Sequence, residues 1–311
     1  MMIKQYLMIP HLQIQNANAA SSPYTVGFPA MTAWLGMTHA LQRRIRQRDE
    51  LQEVGLPRVA VICHAFDLQV FNEKGNFYGS LIGTANPLKK SRKTGEFERP
   101  SFVEEARCHL EISLLVELAG MKGSFKESFE ETVRRELPRL KAAGGDIVLR
   151  HGEQQDWQVV SVDDDDERDV RRVKARLMPG YAIIERQDLL QHESGKDALD
   201  SLLNAMQVQY TANRDAEGAF LGWQRSKVAA DGWLVPIAVG FRDLSGNLQV
   251  KEQRSYEYEH HFVEPLVTVG EFVMPYRCEA IQEMMWEYEY NEAEGLYLCR
   301  NMGKQDLRGE E

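Results

Sequence analysis

The chain has 311 residues, of which 43% are hydrophobic and 27% charged, the composition of an ordinary globular protein rather than a disordered one. No apolar run reaches the roughly 18 residues of a membrane span, and the opening MMIK and the short stretch broken by Pro10 do not form a signal peptide. We therefore expect a cytoplasmic protein with no membrane partner. The formal charge of −10 excludes a protein that coats nucleic acid by bulk attraction, but it is compatible with a focused basic groove.

Four widely spaced cysteines, with no C-x-x-C pair, indicate reduced thiols in a cytosolic protein. The Cys-His dipeptide occurs twice, at 63–64 and 108–109, and thiolate with imidazole suits zinc. Both dipeptides fall in predicted strands, however, where adjacent side chains point to opposite faces. We therefore expect buried thiols backed by outward histidines, with no metal and no cofactor.

The first half predicts alternating strands and helices. QYLMIPHLQIQ has the apolar content of a strand, with Pro10 indicating an edge or a bulge. A loop over 16–30 leads into WLGMTHALQRRIRQR, a helix by its apolar spacing, and RVAVICHAFDLQVF is typical of a long strand. ARCHLEISLLVEL (106–118) predicts another strand, followed by a helix over about 125–142. The order β-α-β-arm-β-α predicts an α+β protein with a ferredoxin-like sheet.

Residues 72–105 differ from their surroundings, because they hold glycines, prolines and the basic cluster KKSRK (89–93) but few residues suited to a core. This composition predicts a protruding hairpin or arm. In the second half, DDDDERD (163–169) predicts a solvated turn that leads into a basic strand or helix. A helix is expected over 197–209, a strand over 233–241, and a helix over IQEMMWEYEYNEAEG (281–295), where Ile281, Met284, Met285 and Tyr288 have core spacing.

The stretch IQNANAASSP (14–23) contains amides and hydroxyls but no group suited to catalysis. Carboxamides present donor and acceptor together and so match base edges and sugar hydroxyls, whereas hydroxyls and backbone N–H groups near a helix start suit phosphate. Two basic clusters, RRIRQR and KKSRK, would add charge. The predicted RNA-binding residues are Gln15, Asn16, Asn18, Ser21, Ser22, Arg43, Arg44, Lys89, Lys90, Arg92 and Lys93.

Acid–base catalysis is the competing interpretation, because a histidine near an RNA path could cut RNA. His11, His39, His64 and His109 are available in the first half, but the sequence has no nucleophile elbow, H-E-x-x-H, Walker loop or DxD. We therefore predict a protein without catalytic residues.

Several segments resemble one family. IQNANAASSPYTVGFPAMTAWLGMTHALQRR is similar to the N-terminus of a Cas-five-type RAMP subunit of the type I-F CRISPR surveillance (Csy) complex. VICHAF, EEARCHLEISLL, AAGGDI, RLMPGYAII, GWLVPI, HFVE and GLY (295–297) agree in order, so that the resemblance spans nearly the whole chain.

This resemblance implies one RRM-like RAMP module over 1–311, with 72–105 as a thumb-like arm and an elaborated C-terminal half. It implies a non-catalytic antiviral subunit that caps the 5′ handle of a guide RNA, pairs with the large subunit and abuts the first backbone subunit. Target DNA would be met mostly indirectly. Two alternatives stay open, a scaffold that does not touch RNA and an endoribonuclease acting on repeat RNA.

Overall fold

A computed structural model describes residues 3–75, 79–81, 88–98, 105–149, 156–190, 197–227, 232–246, 250–251 and 255–303. The helices are α1 Met31–Ile45, α2 Lys126–Glu136, α3 Glu167–Arg176 and α4 Ala198–Met206. The strands are β1 Ile3–Asn18, β2 Val59–Leu68, β3 Val70–Phe71, β4 Ser80–Leu81, β5 Lys89–Lys90, β6 Phe97–Glu98, β7 Arg107–Leu118, β8 Lys141–Ala142, β9 Gly145–Val148, β10 Gln158–Asp163, β11 Tyr181–Glu185, β12 Val208–Arg214, β13 Phe220–Lys227, β14 Leu234–Asp243, β15 Val263–Val273, β16 Met285–Asn291 and β17 Leu296–Asn301. The protein is therefore a mixed α and β protein rich in strands.

The first half is built on four antiparallel strands in the order β10–β1–β7–β2. Strand β1 is a central strand, since β7 pairs with one edge while β10 and then β9 pair with the other. Pro10 lies where the register with β7 shifts between Ile9 and Leu12, because proline cannot donate to the ladder. The predicted bulge is confirmed, whereas the alternative of an edge strand is wrong.

Alternation along β1 places side chains on two opposite cores. Leu7 and Ile9 pack with α1 and α2, whose buried faces include Trp34 and Phe129. Tyr6 joins the other core with α3 and the segment 278–285. Both layers follow from the period of two along a strand and from the apolar stripe of each helix. One face of the sheet thus carries α1 and α2, and α3 covers part of the other.

The second half closes a ring of six strands on β2. Backbone pairing runs from β2 to β16, β17, β14, β15 and β11, and β11 pairs back to β2 at Tyr181 and Ala182. Ile183, Ile237 and Trp286 from this ring are fully buried. Trp286 donates its indole N–H to the carbonyl of Ile183 at 2.8 Å, which satisfies the polar end of a core aromatic. Strand β2 therefore belongs to both halves.

The predicted helix over 281–295 is wrong. A 3-10 turn at Gln282–Met284 leads into β16 and β17, which pair antiparallel. Met284 and Met285 are buried as expected, but Trp286 and Tyr288 alternate with Glu287 and Glu289. That period of two, in a segment rich in aromatic residues, favours a strand.

Other sequence predictions hold. Helix α2 with its flanking 3-10 turns spans 123–139, close to the predicted 125–142, and α4 lies within 197–209. The basic segment after the aspartates is α3, and Asp166 caps it by accepting from the N–H of Arg168 at 2.9 Å. Cys63 and Cys108 are buried in the α1 and α2 core, while His64 and His109 make hydrogen bonds on the opposite face. The predicted division of each Cys-His pair is therefore confirmed.

Among the described residues, three two-stranded ribbons form sheets of their own outside the large sheet, namely β3–β4, β5–β6 and β12–β13. Strands β4, β5 and β6 lie within the predicted arm, and β3 ends just before it. Residues 76–78, 82–87 and 99–104 of the arm lie outside the described residues. Within the described ranges, no helix has the length and apolar character needed to cross a membrane. The same ranges contain no cluster of three or more His, Cys, Asp or Glu side chains arranged to hold a metal ion.

Candidate nucleic-acid interface

The predicted amide residues lie together at the C-terminal end of β1. Gln15, Asn16 and Asn18 are all exposed, and the strand continues to Asn18, so the loop predicted to begin at residue 16 begins after it. Asn18 pairs in register with Arg107 on β7, and its backbone N–H donates to the carbonyl of Ala143 at 2.8 Å. The amides are therefore presented from a hydrogen-bonded strand rather than from a free loop.

Asn16 is the most constrained of these residues. Its φ of 55° is left-handed, a conformation that asparagine tolerates better than most residues, and it coincides with a register shift. The Asn16 N–H donates to Nδ1 of His109 at 3.2 Å, and its carbonyl accepts from Nη1 of Arg107 at 3.1 Å. The Gln69 side-chain nitrogen lies 2.9 Å from Oδ1 of Asn16 and 3.1 Å from Nε2 of His109. Four residues from three chain segments thus form one polar cluster.

Asn18, Ser21 and Ser22 already have local partners. The Asn18 carboxamide donates to the Ala20 carbonyl and accepts from the Ala20 N–H, both at 3.1 Å, an arrangement that shapes the turn. The two serine hydroxyls lie 2.9 and 2.7 Å from Oγ1 of Thr25. By contrast, the Gln15 side chain makes no hydrogen bond to any described residue, so it is the most available amide.

The AAGGDI segment supports this end of β1 from beneath. It forms the turn between β8 and β9, with Gly144 at a φ of 78°. A Cβ on Gly145 would lie 2.6 Å from the Gln15 carbonyl oxygen and 2.8 Å from the Ala17 nitrogen, closer than atoms can approach. Only glycine lets the two backbones meet here, so Gly145 positions the amide strand.

The predicted arginines are not brought to the amides. Arg43 and Arg44 lie in the last turn of α1, about 18 Å along the helix from its start at the rise of about 1.5 Å per residue. Arg44 is paired at 3.2 Å with Glu136 at the end of α2, whereas Arg43 is exposed and has no described partner. Adjacency in the sequence therefore did not become adjacency in space, because a helix separates the two groups.

The basic cluster of the arm lies in the β5–β6 ribbon. Lys90, Arg92 and Lys93 are exposed there, while Lys89 is placed by its backbone pairing with Glu98 and its side chain lies outside the described residues. The ribbon turns through hydrogen bonds between Ser91 and residues 95 and 96. Three cations with described side chains thus project from one short ribbon.

A further polar cluster lies on the sheet face opposite α1 and α2. His11 and His64 lie ring to ring with centroids 4.3 Å apart, and His11 Nδ1 is 2.7 Å from Oε1 of Glu111. His64 Nδ1 donates to the Pro179 carbonyl, so its Nε2, 2.6 Å from Oγ of Ser113, accepts from that hydroxyl.

Two titratable groups of this cluster, His64 and Glu111, have pKa values shifted toward the states that the hydrogen bonds need. Burial lowers the pKa of His64, and repulsion from His11 lowers it further against the opposing effect of the bond to Pro179. For Glu111, partial burial raises the pKa, but the nearby Gln13 side chain and the hydrogen bond with His11 outweigh it and lower the pKa overall. A neutral His64 and an ionised Glu111 therefore stabilise this face.

The sequence did not reveal Gln69, Arg107 and His109 as members of the amide cluster. Gln69 directly follows β2, whereas Arg107 and His109 lie in β7. All three are more than fifty positions from Asn16 in the chain and contact it through the pairing of the strands. The available signal was the predicted outward direction of His109 on its strand. An outward histidine on a strand that pairs with the amide strand could have indicated that His109 lies near the amides.

Comparison with known proteins gives the family. A family model described as CRISPR-associated protein (Cas_Csy2) matches residues 7–299. The chain is 32% identical to the CRISPR-associated protein Csy2 of Pseudomonas aeruginosa (strain UCBPP-PA14), over 94% of this chain and 93% of that protein. The chain therefore belongs to the Csy2 family of CRISPR-associated proteins.

This assignment corrects the subunit that the resemblance named. The expectation of a CRISPR-associated Csy protein is confirmed, but the family matched is Csy2, so the identification as a Cas-five-type RAMP subunit was wrong. The segments behind the resemblance, from IQNANAASSP to GLY at 295–297, all fall within the Csy2 match.

Proposed function

We propose that this chain is a non-catalytic, cytoplasmic subunit of a type I-F CRISPR surveillance complex in antiviral defence, and that it binds the 5′ handle of the guide RNA. Its protein partners would be the large subunit and the first backbone subunit. The observation that carries the proposal is the amide cluster around Asn16, where Gln15, Asn16 and Asn18 are exposed at the end of β1. Exposed amides and a histidine on a sheet are what a protein needs to read unpaired RNA bases.

The strand order supports an RRM-like module for this task. The order β10–β1–β7–β2, with α1 and α2 on one face, corresponds to that of a ferredoxin-like βαββαβ unit. In such sheets the face without helices is the one that can meet RNA bases. We propose that 1–311 forms one module of this kind, with 72–105 as a thumb-like arm whose cations follow the guide backbone.

Charge at the amide cluster is local rather than general. Arg107 lies against Asn16 and is paired with Glu105, and Lys141 is paired with Asp146, the residue opposite Gln15. Because each cation has a carboxylate beside it, long polyanions gain little there. A short RNA end read mainly through hydrogen bonds is the ligand that such a surface favours.

The proposal is tested by guide binding in the complex co-expressed with its partner subunits. Gln15→Ala removes the available amide, and Gln69→Ala removes the amide that contacts Asn16. In the double variant, affinity for a guide with the repeat-derived 5′ handle should fall about tenfold. Gln52→Ala, which removes an exposed amide directly after the 3-10 helix Asp49–Leu51, should bind like the parent.

A second guide with an unrelated 5′ end separates handle recognition from general RNA binding. The double variant and the parent should bind this second guide with equal affinity. Equal affinity of parent and double variant for the handle guide would overturn the assignment of this surface. Assembly of the complex with no handle crosslink to residues 15–18 would favour the scaffold alternative. Discrete cleavage of repeat RNA, lost in a His64→Gln variant, would favour the nuclease.

A further inference from the structure

The β12–β13 ribbon is an exposed structure with no role in the site described above. Its seven residue pairs run from Val208 opposite Lys227 to Arg214 opposite Phe220. It forms its own two-stranded sheet, and most of its residues are exposed on both faces. An isolated two-stranded ribbon is marginally stable in water, so exposed aromatic residues on it call for an explanation.

One face of the ribbon combines aromatic rings with cations. Residues paired across antiparallel strands point to the same face, and every second pair shares it. The pairs Val208–Lys227, Tyr210–Arg225 and Ala212–Trp223 belong to this face. A register shift after Asn213 leaves Leu221 out of the pairing, and the ring contact of Phe220 with Trp223 places the end pair Arg214–Phe220 on the same face. The face therefore carries Val208, Tyr210, Ala212, Arg214, Phe220, Trp223, Arg225 and Lys227, and no carboxylate.

The opposite face is uncharged. It consists of the pairs Gln209–Ser226, Thr211–Gln224 and Asn213–Gly222. The acids of the segment, Asp215 and Glu217, are confined to the turn, where Asp215 accepts from the backbone N–H groups of residues 217 and 219. In a chain of net charge −10, this segregation produces one locally basic, aromatic surface.

The rings are available for contact. Tyr210 and Trp223 are 63% and 67% exposed, and Phe220 packs against Trp223 with ring centroids 5.6 Å apart at 65°. That edge contact holds the Trp223 ring in place without covering it. Ala212, the residue opposite Trp223, is small and leaves room beside the indole.

The cations are also available. Arg225 is exposed and has no described partner, and Arg214 donates to the Gly218 carbonyl at 2.9 Å, a neutral acceptor that leaves its charge uncompensated. Lys227 likewise donates to the carbonyl of Gly232. Trp233, which follows the ribbon in the chain, packs on Tyr181 and Phe272 of the ring of six strands.

We propose that the β12–β13 ribbon is a second binding site, whose ligand is single-stranded nucleic acid. Unpaired bases stack on Tyr210 and Trp223 while the phosphates between them meet Arg214 and Arg225. Stacking on aromatic side chains flanked by cations is the general way in which proteins hold single strands without reading sequence. Charge complementarity favours this polyanion over a neutral protein surface, and the need for free base faces favours a single strand over a duplex.

The test uses the purified full chain and two probes without any repeat sequence, a 12-nucleotide oligouridylate and a 12-nucleotide oligothymidylate. Fluorescence anisotropy at several salt concentrations should show binding of at least one probe and weaker binding of a matched duplex. Trp223→Ala should lower affinity about tenfold, whereas Trp223→Phe should retain most of it. Arg225→Ala should lower the slope of log affinity against log salt by roughly 0.7.

Gln224→Ala, on the uncharged face of the same strand, is the matched control and should bind like the parent. Binding of RNA alone assigns the ribbon to the guide, and binding of DNA alone assigns it to displaced or target strands. Parent-like affinity of Trp223→Ala and Arg225→Ala, in variants that melt like the parent, would overturn the proposal. Because the probes lack the handle, this result is independent of the proposal for the β1 end.

Discussion

Two surfaces of this chain present polar and aromatic groups to solvent in opposite ways. At the end of β1, backbone and side-chain bonds to residues 69, 107 and 109 fix Asn16. On the β12–β13 ribbon, Tyr210, Trp223 and Arg225 extend into solvent from two strands that pair with no third strand among the described residues. A fixed set of hydrogen-bonding groups suits one defined ligand, whereas free rings and charges suit many sequences, because less is organised before binding.

The largest expected effect comes from the packing beneath the β1 end. Gly145→Ala places a methyl group 2.6 Å from the Gln15 carbonyl oxygen, so β9 and β1 must separate and the free energy of unfolding should fall by about 1–3 kcal/mol. Urea denaturation measures the loss, and handle binding should weaken with it.

Gly123→Ala is the matched control, since a Cβ there meets nothing within 4 Å and the change should leave stability near the parent value. Trp223→Ala on the ribbon should also leave the urea midpoint unchanged, because the side chain is mostly exposed. A parent-like midpoint for Gly145→Ala would show that the β1 end is not fixed by this close contact, and the contrast between the two surfaces would fail.

A middle-sized effect distinguishes the two arginines at the end of α1. Arg44 is paired with Glu136, so Arg44→Ala should lower the unfolding free energy by about 0.2–1 kcal/mol and leave the salt dependence of guide binding unchanged. Arg43 is exposed, and Arg43→Ala should instead reduce the salt slope by roughly 0.7 with stability unchanged. Salt titration of guide binding and urea denaturation measure the two. Equal salt slopes for parent and Arg43→Ala would remove Arg43 from the RNA path.

The smallest expected effect is a pH dependence of the unfolding free energy that comes from His64 on the sheet. Burial holds the pKa of His64 below its ordinary value of about 6.5, so the unfolded chain takes up a proton more readily than the folded one as the pH falls. The free energy of unfolding should therefore decrease as the pH falls through about 6.5 toward the lower folded pKa. Above that range the contribution is fully present.

Urea denaturation between about pH 7.5 and 5.5 measures this slope. His64→Gln should flatten it, whereas His39→Gln, an exposed position on α1, should keep the parent slope. The same slope in His64→Gln as in the parent would show that the His11–His64 pair does not control the pH response. The ribbon has no histidine within 208–227, so oligonucleotide binding by the ribbon should not follow the pH dependence of the unfolding free energy. This is a second comparison between the two surfaces.

Local pattern was sufficient for the elements of the first half. The apolar spacing of α1, the β-branched run of β2 and the alternation of β7 all predicted the structures observed. It failed for 281–295, where methionines at helical spacing concealed the alternation from Trp286 onward. The ring of six strands was also not predicted, since it depends on pairing between β2 and strands more than a hundred residues away.

The candidate site was only half accessible from sequence for the same reason. Gln15, Asn16 and Asn18 were found because they are neighbours in the chain, whereas Gln69, Arg107 and His109 join them through long-range pairing. The arginines of α1 follow the amides in the chain, but they lie in the last turn of the helix, so their place relative to the amides was not visible in the sequence. The ribbon's segregated faces could have been found in the alternation of 208–227, once a hairpin was assumed.

The ring of six strands has a consequence for assembly. A sheet with a free edge can be extended by a strand from another polypeptide, but within the described residues each strand of this ring has a hydrogen-bonded neighbour on both sides. Neighbouring subunits therefore cannot join this half by sharing backbone ladders along its paired stretches. They must contact its side chains, its loops and the exposed β12–β13 ribbon. Partner choice therefore depends on residue identity rather than on backbone pairing at a free sheet edge.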